Sequence, residues 1–197
     1  MNLPNKLTIL RIILVPIMVI IPFFRIEGNF LNIPIEYWII NIIFGIASFT
    51  DKLDGHIARK TDQITSFGKF ADPLADKILV LAALLMLVEQ ARLPAWIPII
   101  VLTREFVVSG YRLVAVEKGG KVIAANFWGK LKTVTQMIAI IGAFLDTNTF
   151  FAFANGNLTG LSLIINIFWS VMMLISVIAT VFSGWNYIKD GKDLLKD

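Results

Sequence analysis

Apolar residues fall along this chain in long blocks that do not alternate with polar ones. The blocks cover residues 7–24, 33–49, 74–88, 93–115, 134–145 and 161–187. The fourth is interrupted by Arg104, Glu105 and Arg112, and the fifth is short unless it begins near Phe127. A helical crossing of a bilayer needs about 20 apolar residues. Backbone groups in lipid must find partners within their own segment, so blocks of this kind predict helices. A membrane β-barrel would need alternating segments of about ten residues, and none is present. Between blocks five and six, residues 147–160 mix Thr, Asn and Gly with Phe150, Phe151 and Phe153 and read as an external loop.

Composition strengthens this reading. Of 197 residues, 57% are hydrophobic and only 16% charged, and the mean hydropathy is +0.76. Soluble domains carry about 25% charged residues, so there is too little polar surface here to coat a soluble particle. Disorder is excluded for the same reason. Cysteine is absent, which removes disulfides and thiolate metal sites. The first block follows Lys6 and contains Arg11, as in a signal peptide, but Pro22-Phe23-Phe24-Arg25 is too bulky for a cleavage site, and a retained helix is expected.

Charge placement orients the spans. With six crossings, 16 of the 18 Lys and Arg fall on one side and only Arg25 and Arg92 on the other. The positive-inside rule makes the crowded side cytoplasmic. The expected fold is an all-α polytopic membrane protein with six transmembrane helices, both termini cytoplasmic, forming a single domain over 1–197. It would sit in the cell membrane as a multi-pass protein.

The unusual chemistry lies between the second and third blocks. Asp51 and Asp54 are three residues apart, and Asp72 and Asp76 four apart. Both spacings put a carboxylate pair on one helical face. The connection between them is short, so the two helices are antiparallel neighbours and the pairs can face each other. Four converging carboxylates need a counter-ion. Oxygen ligands without a His pair or Cys suit Mg²⁺ or Mn²⁺, and four Asp suffice for a two-metal site of the sort that clamps a phosphate. Gly55, Ala58 and Gly68 are small enough to let a ligand lie against the backbone, and Arg59 can pair with a phosphate.

The string Asp-x2-Asp-Gly-x2-Ala-Arg-x8-Gly-x3-Asp-x3-Asp resembles the signature of the CDP-alcohol phosphotransferases. Asp51, Asp54, Gly55, Ala58, Arg59, Gly68, Asp72 and Asp76 fill every fixed position. The six-helix plan is similar to that family's, so the resemblance covers nearly the whole chain. It implies transfer of a substituted phosphoryl group from a CDP-linked donor to an alcohol, with release of CMP. It further implies that Asp51, Asp54, Asp72 and Asp76 bind the metals and that Asp76 is also the general base. By the same resemblance Asp51, Asp54, Gly55, Ala58, Arg59, Gly68 and Thr65 line the CDP-diacylglycerol site, and a homodimer is expected.

A basic group lies on the same cytoplasmic side. Arg104 and Arg112 are eight residues apart, about 80° round a helix, so both can look into one cavity. Arginine within a span is costly and tends to face an interior or a polar ligand, and fixed cations suit an acceptor carrying a phosphate. Pro4-Asn5-Lys6-Leu7-Thr8 with Arg11, Thr103-Arg104-Glu105-Phe106 and Gly129-Lys130-Leu131-Lys132-Thr133 resemble the branch of the family that uses sn-glycerol 3-phosphate. In that resemblance Arg104, Arg112, Lys130 and Lys132 hold the glycerol phosphate, while Asn5 and Thr8 help close the nucleotide site. The donor's acyl chains would stay among membrane lipids while its nucleotide reaches the cytoplasm-facing metals. No nucleic-acid partner is expected. The alternatives are branches that use inositol phosphate or phosphatidylglycerol as acceptor and, outside the family, a divalent-cation transporter. The transporter reading is weakened because the acidic pairs sit at span ends and no broken-helix pair is evident.

Overall fold

The computed structural model describes the backbone of residues 2–60, 66–117 and 127–190; for residues 51–60 it describes no side chains. Among the described residues there are six α-helices: α1 (Leu3–Ile20), α2 (Ile35–Lys60), α3 (Ser66–Glu89), α4 (Trp96–Glu117), α5 (Phe127–Phe144) and α6 (Gly160–Asp190). The only strands among them form a two-residue hairpin, β1 (Asn29–Phe30) with β2 (Ile33–Pro34). The fifth helix does begin at Phe127, which makes it 18 residues long.

Local chemistry explains where the first elements start and stop. Asn2 caps α1, its side-chain oxygen accepting from the Asn5 amide at 3.3 Å. The helix tightens into a 3-10 turn over Ile21–Phe24, and Arg25 ends it in the left-handed conformation. The hairpin turns through Leu31 and Asn32, both with positive φ (54° and 62°), as a two-residue turn of the primed kind requires. Gly28 has φ +114°, a backbone conformation that favours glycine; a Cβ there would meet only the movable tip of Ile35, at 2.9 Å. The Trp38 indole donates to the Phe30 carbonyl at 3.1 Å and ties the hairpin to α2.

The chain divides into two compact units. The first holds residues 1–92 and 141–149; the second holds 93–140 and 150–197. In the first, α1 packs on α2 and α3. Met18, Ile40, Phe44, Ala47, Ala75, Leu79 and Ala83 are buried there, with small residues interleaved so that backbones approach closely. In the second, α4 packs on α6. The inward face of α6 is strongly polar for such a helix: Asn166, Ser170, Ser176, Thr180 and Ser183 are all buried. Thr180 and Ser176 satisfy their hydroxyls on backbone carbonyls one turn back, at 2.6 and 2.9 Å. Trp169, which could pass for an interfacial anchor, is instead fully buried, its ring tilted against Phe150 at 5.7 Å.

Two helical stretches among the described residues are long and apolar enough to cross a membrane, Asn5–Phe24 and Gly160–Lys189; α2 holds a shorter one, Ile35–Thr50. Many large side chains on these helices point outward, among them Ile13, Ile17, Phe23, Leu161, Ile164 and Trp185. In water that much exposed apolar surface would be costly, and lipid solvates it at little cost. The protein is membrane-associated.

Candidate active site

The acidic cluster is built on helix ends in the first unit. Asp72 and Asp76 are one turn apart on α3 and both half-buried, so their carboxylates share a face. The Thr8 hydroxyl, on α1 and itself fully buried, donates to Asp72 Oδ1. One side chain from the N-terminal helix thus fixes the orientation of a carboxylate 64 residues later. Gly68 is buried one turn before Asp72, and Asn5 is buried one turn before Thr8. Arg11, the next turn of α1, is fully buried and donates through Nε to the Ala47 carbonyl of α2 at 3.2 Å. Asp51, Asp54, Gly55, Ala58 and Arg59 lie on the helical backbone of α2, and their side chains lie outside the described residues, as Thr65 does altogether. The described side chains here offer two carboxylates, Asp72 with the neutral Thr8 hydroxyl as a partner, and no group of three possible metal ligands occurs among the described residues. Carboxylate oxygens fit a hard divalent cation.

The basic group is assembled in the second unit. Arg104 donates through Nη1 to Glu105 Oε1 at 2.8 Å and through Nη2 to Ser183 Oγ at 2.7 Å. Its Nε is buried without a partner among the described residues. The Lys132 ammonium, from α5, donates to the same Glu105 oxygen at 2.6 Å. Arg112 donates through Nη2 to the Tyr187 hydroxyl at 2.8 Å. The Tyr187 ring lies 5.8 Å from the Arg104 guanidinium carbon and 5.6 Å from that of Arg112, so one aromatic face is shared by both cations. The Arg104 stem passes Gly184, where a Cβ would meet Arg104 Cγ at 3.4 Å, an ordinary van der Waals contact.

Arg104, Arg112 and Lys132 are therefore brought together through Glu105, Tyr187 and Ser183. Lys130 is not part of this network; it is exposed, whereas Lys132 is buried. Two residues apart on a helix, their side chains leave the axis about 200° apart. The three linking residues were not singled out from sequence as site residues. Ser183 and Tyr187 carry one signal that could have found them: they continue, at helical spacing, the polar face of α6 that runs through Asn166, Ser170, Ser176 and Thr180.

These features have a known family setting. The chain belongs to the CDP-alcohol phosphatidyltransferase family, whose sequence model matches residues 1–185. Among its relatives is the Bacillus subtilis (strain 168) protein named CDP-diacylglycerol–glycerol-3-phosphate 3-phosphatidyltransferase. That protein is 43% identical over 200 residues, covering 99% of this chain and 97% of the relative. A Haemophilus influenzae protein of the same name is 39% identical, covering 100% of this chain and 96% of the relative. A Mycobacterium tuberculosis protein named probable phosphatidylglycerophosphate synthase is 35% identical over 187 residues, covering 95% of this chain and 80% of the relative.

Proposed function

We propose that this protein transfers the phosphatidyl group of CDP-diacylglycerol to sn-glycerol 3-phosphate, giving phosphatidylglycerophosphate and CMP. The observation that carries the reading is the 43% identity, over nearly the full length of both chains, to a relative named for this reaction. The cation network of Arg104, Arg112 and Lys132 supports it, since a phosphorylated acceptor needs fixed positive charge.

In the proposed reaction the acceptor hydroxyl attacks the phosphorus that bears the diacylglycerol. The bond from that phosphorus to the CMP oxygen breaks, and CMP leaves with the bonding electron pair. The hydroxyl proton passes to Asp76. The phosphorus carries an ester substituent, so the incoming oxygen bonds substantially in the transition state, and a positioned carboxylate takes its proton as that bond forms. Asp51, Asp54, Asp72 and Asp76 would hold one or two Mg²⁺ or Mn²⁺ ions. Such an ion would neutralise charge on the phosphoryl oxygens and on departing CMP. Thr8 orients Asp72, and Asn5 stands beside it on α1. Gly55, Ala58, Arg59, Thr65 and Gly68 would take the nucleotide, while Arg104, Arg112 and Lys132, with Lys130 at the exposed edge, would take the acceptor phosphate.

The same reading has the chain cross the cell membrane six times, with both termini and the site facing the cytoplasm. Residues 1–197 then act as a single catalytic domain. The family resemblance also favours a homodimer, which light scattering in detergent would test. The decisive experiment is acceptor dependence. Purified protein with CDP-diacylglycerol and Mg²⁺ or Mn²⁺ should release CMP when glycerol 3-phosphate is added. Release with inositol phosphate or phosphatidylglycerol alone would refute the acceptor. Metal flux into sealed vesicles without CMP release would refute the enzyme.

A further inference from the structure

We infer that Glu105 and Tyr187 are positioning residues that shape Arg104, Lys132 and Arg112 into a receptor for a phosphomonoester dianion. The inference rests on the acceptor reading above and deepens it, by naming what holds the cations in place and which charge they suit.

Three side-chain cations held close together repel one another and would splay toward solvent or lipid headgroups if nothing restrained them. Glu105 prevents this for two of them. A single oxygen, Oε1, accepts from both Arg104 (2.8 Å) and Lys132 (2.6 Å), tying α4 to α5. The pair is well shielded, with Arg104, Lys132 and Glu105 side chains only 13%, 10% and 17% exposed. Tyr187 restrains the third cation. Its hydroxyl accepts from Arg112, and its ring lies against both guanidinium groups, linking Arg112 to Arg104 across one turn of α6 from Ser183. Arg112 is exposed, so the cluster keeps an open side by which a ligand can enter.

The charge arithmetic is selective. Among the described residues, three cations less one carboxylate leave a surplus of two positive charges. A phosphate monoester carries about −1.5 to −2 at neutral pH, which this surplus matches. An uncharged polyol would leave the whole surplus unmet, and a phosphodiester would leave half of it. Glu105 thus has two effects: it fixes two donors, and it lowers a charge that would otherwise exceed the ligand's.

The test uses the full chain purified in detergent, with CMP release measured against each substrate in turn. Glu105→Leu removes both bonds and should raise KM for glycerol 3-phosphate about ten- to hundredfold, as expected for lost charged hydrogen bonds. KM for CDP-diacylglycerol should change by less than about threefold, since only the acceptor's cations lose their restraint. Glu105→Asp should recover part of the loss. Tyr187→Phe keeps the ring and removes one acceptor atom. It should raise the acceptor KM by about three- to tenfold, and it serves as the readout if Glu105→Leu does not fold. Inorganic phosphate should compete with glycerol 3-phosphate in the wild type and compete less well in each variant. An unchanged acceptor KM in Tyr187→Phe, or equal rises for both substrates, would overturn the inference. Failure of the acceptor reading looks different, because it appears in the wild type. If another phosphomonoester alcohol drives release there, the same split should be read with that acceptor. If only an uncharged or phosphodiester acceptor does, both readings fall.

Discussion

Two carboxylates in this protein have opposite surroundings. Asp72, on α3, accepts from the neutral hydroxyl of Thr8, its one hydrogen-bond donor among the described residues, while Glu105, on α4, accepts from two cations. A neutral donor orients a carboxylate and leaves its charge in place. Two cationic donors cancel that charge and are themselves held by it. A half-buried acid therefore reveals its role through the charge of its partners: the first arrangement suits a site awaiting a cation, the second a site in which the acid holds other groups. In the proposed reaction these are the metal-binding and acceptor-binding ends of one chemistry.

The strongest way to break that contrast is at the acidic end. Asp76→Asn keeps the size of the side chain but removes a negative charge and the proposed base. Turnover should fall by about 10²- to 10⁴-fold, the range of general-base catalysis, or more if metal binding also suffers. The protein should remain extractable in detergent with an unchanged elution profile. Near-normal CMP release would refute the base assignment.

Next in size is the hydroxyl that orients Asp72. Thr8→Val preserves shape and removes the donor. If Asp72 binds metal, the Mg²⁺ or Mn²⁺ concentration for half-maximal activity should rise about ten- to hundredfold, as is usual when a group supporting a metal ligand is lost. Activity at saturating metal should largely return. Chelation of the wild type should abolish activity, and added metal should restore it. A Thr8→Val loss that metal does not rescue would mean that the hydroxyl serves packing alone.

These tests bear on what was legible in the sequence. The six apolar blocks correspond to the six helices, yet several helices run well past their blocks. Helix α2 continues to Lys60 and α3 begins at Ser66, because the signature residues are themselves helical and a hydropathy pattern cannot see a polar helical turn. The acidic signature was visible because its members are close in sequence and obey helical spacing. The Thr8–Asp72 bond was not, since 64 residues separate its partners and only the packing of α1 on α3 joins them. Glu105 lies beside Arg104 in sequence, but its partner Lys132 is 27 residues away. Tyr187 merely closes the last apolar block in sequence, because the guanidinium groups that share its ring come from another helix.

The basic end can be sharpened with a pair of lysines. Lys132→Met removes a buried ammonium that shares Glu105 with Arg104, and the acceptor KM should rise by about tenfold. Lys130→Met removes an exposed ammonium, and the rise should be no more than about threefold, the scale of a screened surface charge. Equal effects would mean that the restraint by Glu105 contributes nothing and that bulk positive charge alone attracts the acceptor.

The smallest effect on chemistry is expected at a third buried cation. Arg92 is 5% exposed, follows α3, and donates through Nη1 to the Ala143 carbonyl at 3.2 Å. Its guanidinium carbon lies 3.9 Å from the centre of the Tyr37 ring. Burial pushes its pKa down, and the attractions of Tyr37, Asp146 and Glu36 oppose that shift. Arginine nevertheless stays charged at any ordinary pH, so its contribution should not vary between about pH 6 and 9. Among the described residues its contacts are a backbone carbonyl and the Tyr37 ring, which separates it from Arg104 and Arg112, although each of the three lies against a tyrosine. Arg92→Met should cost about 2–3 kcal/mol through the lost charged hydrogen bond and ring contact, read as a lower melting temperature in detergent. Both KM values should stay at wild type. A selective rise in the acceptor KM would show that burial against a tyrosine marks a binding arginine wherever it occurs, and the division between structural and ligand-holding cations would collapse.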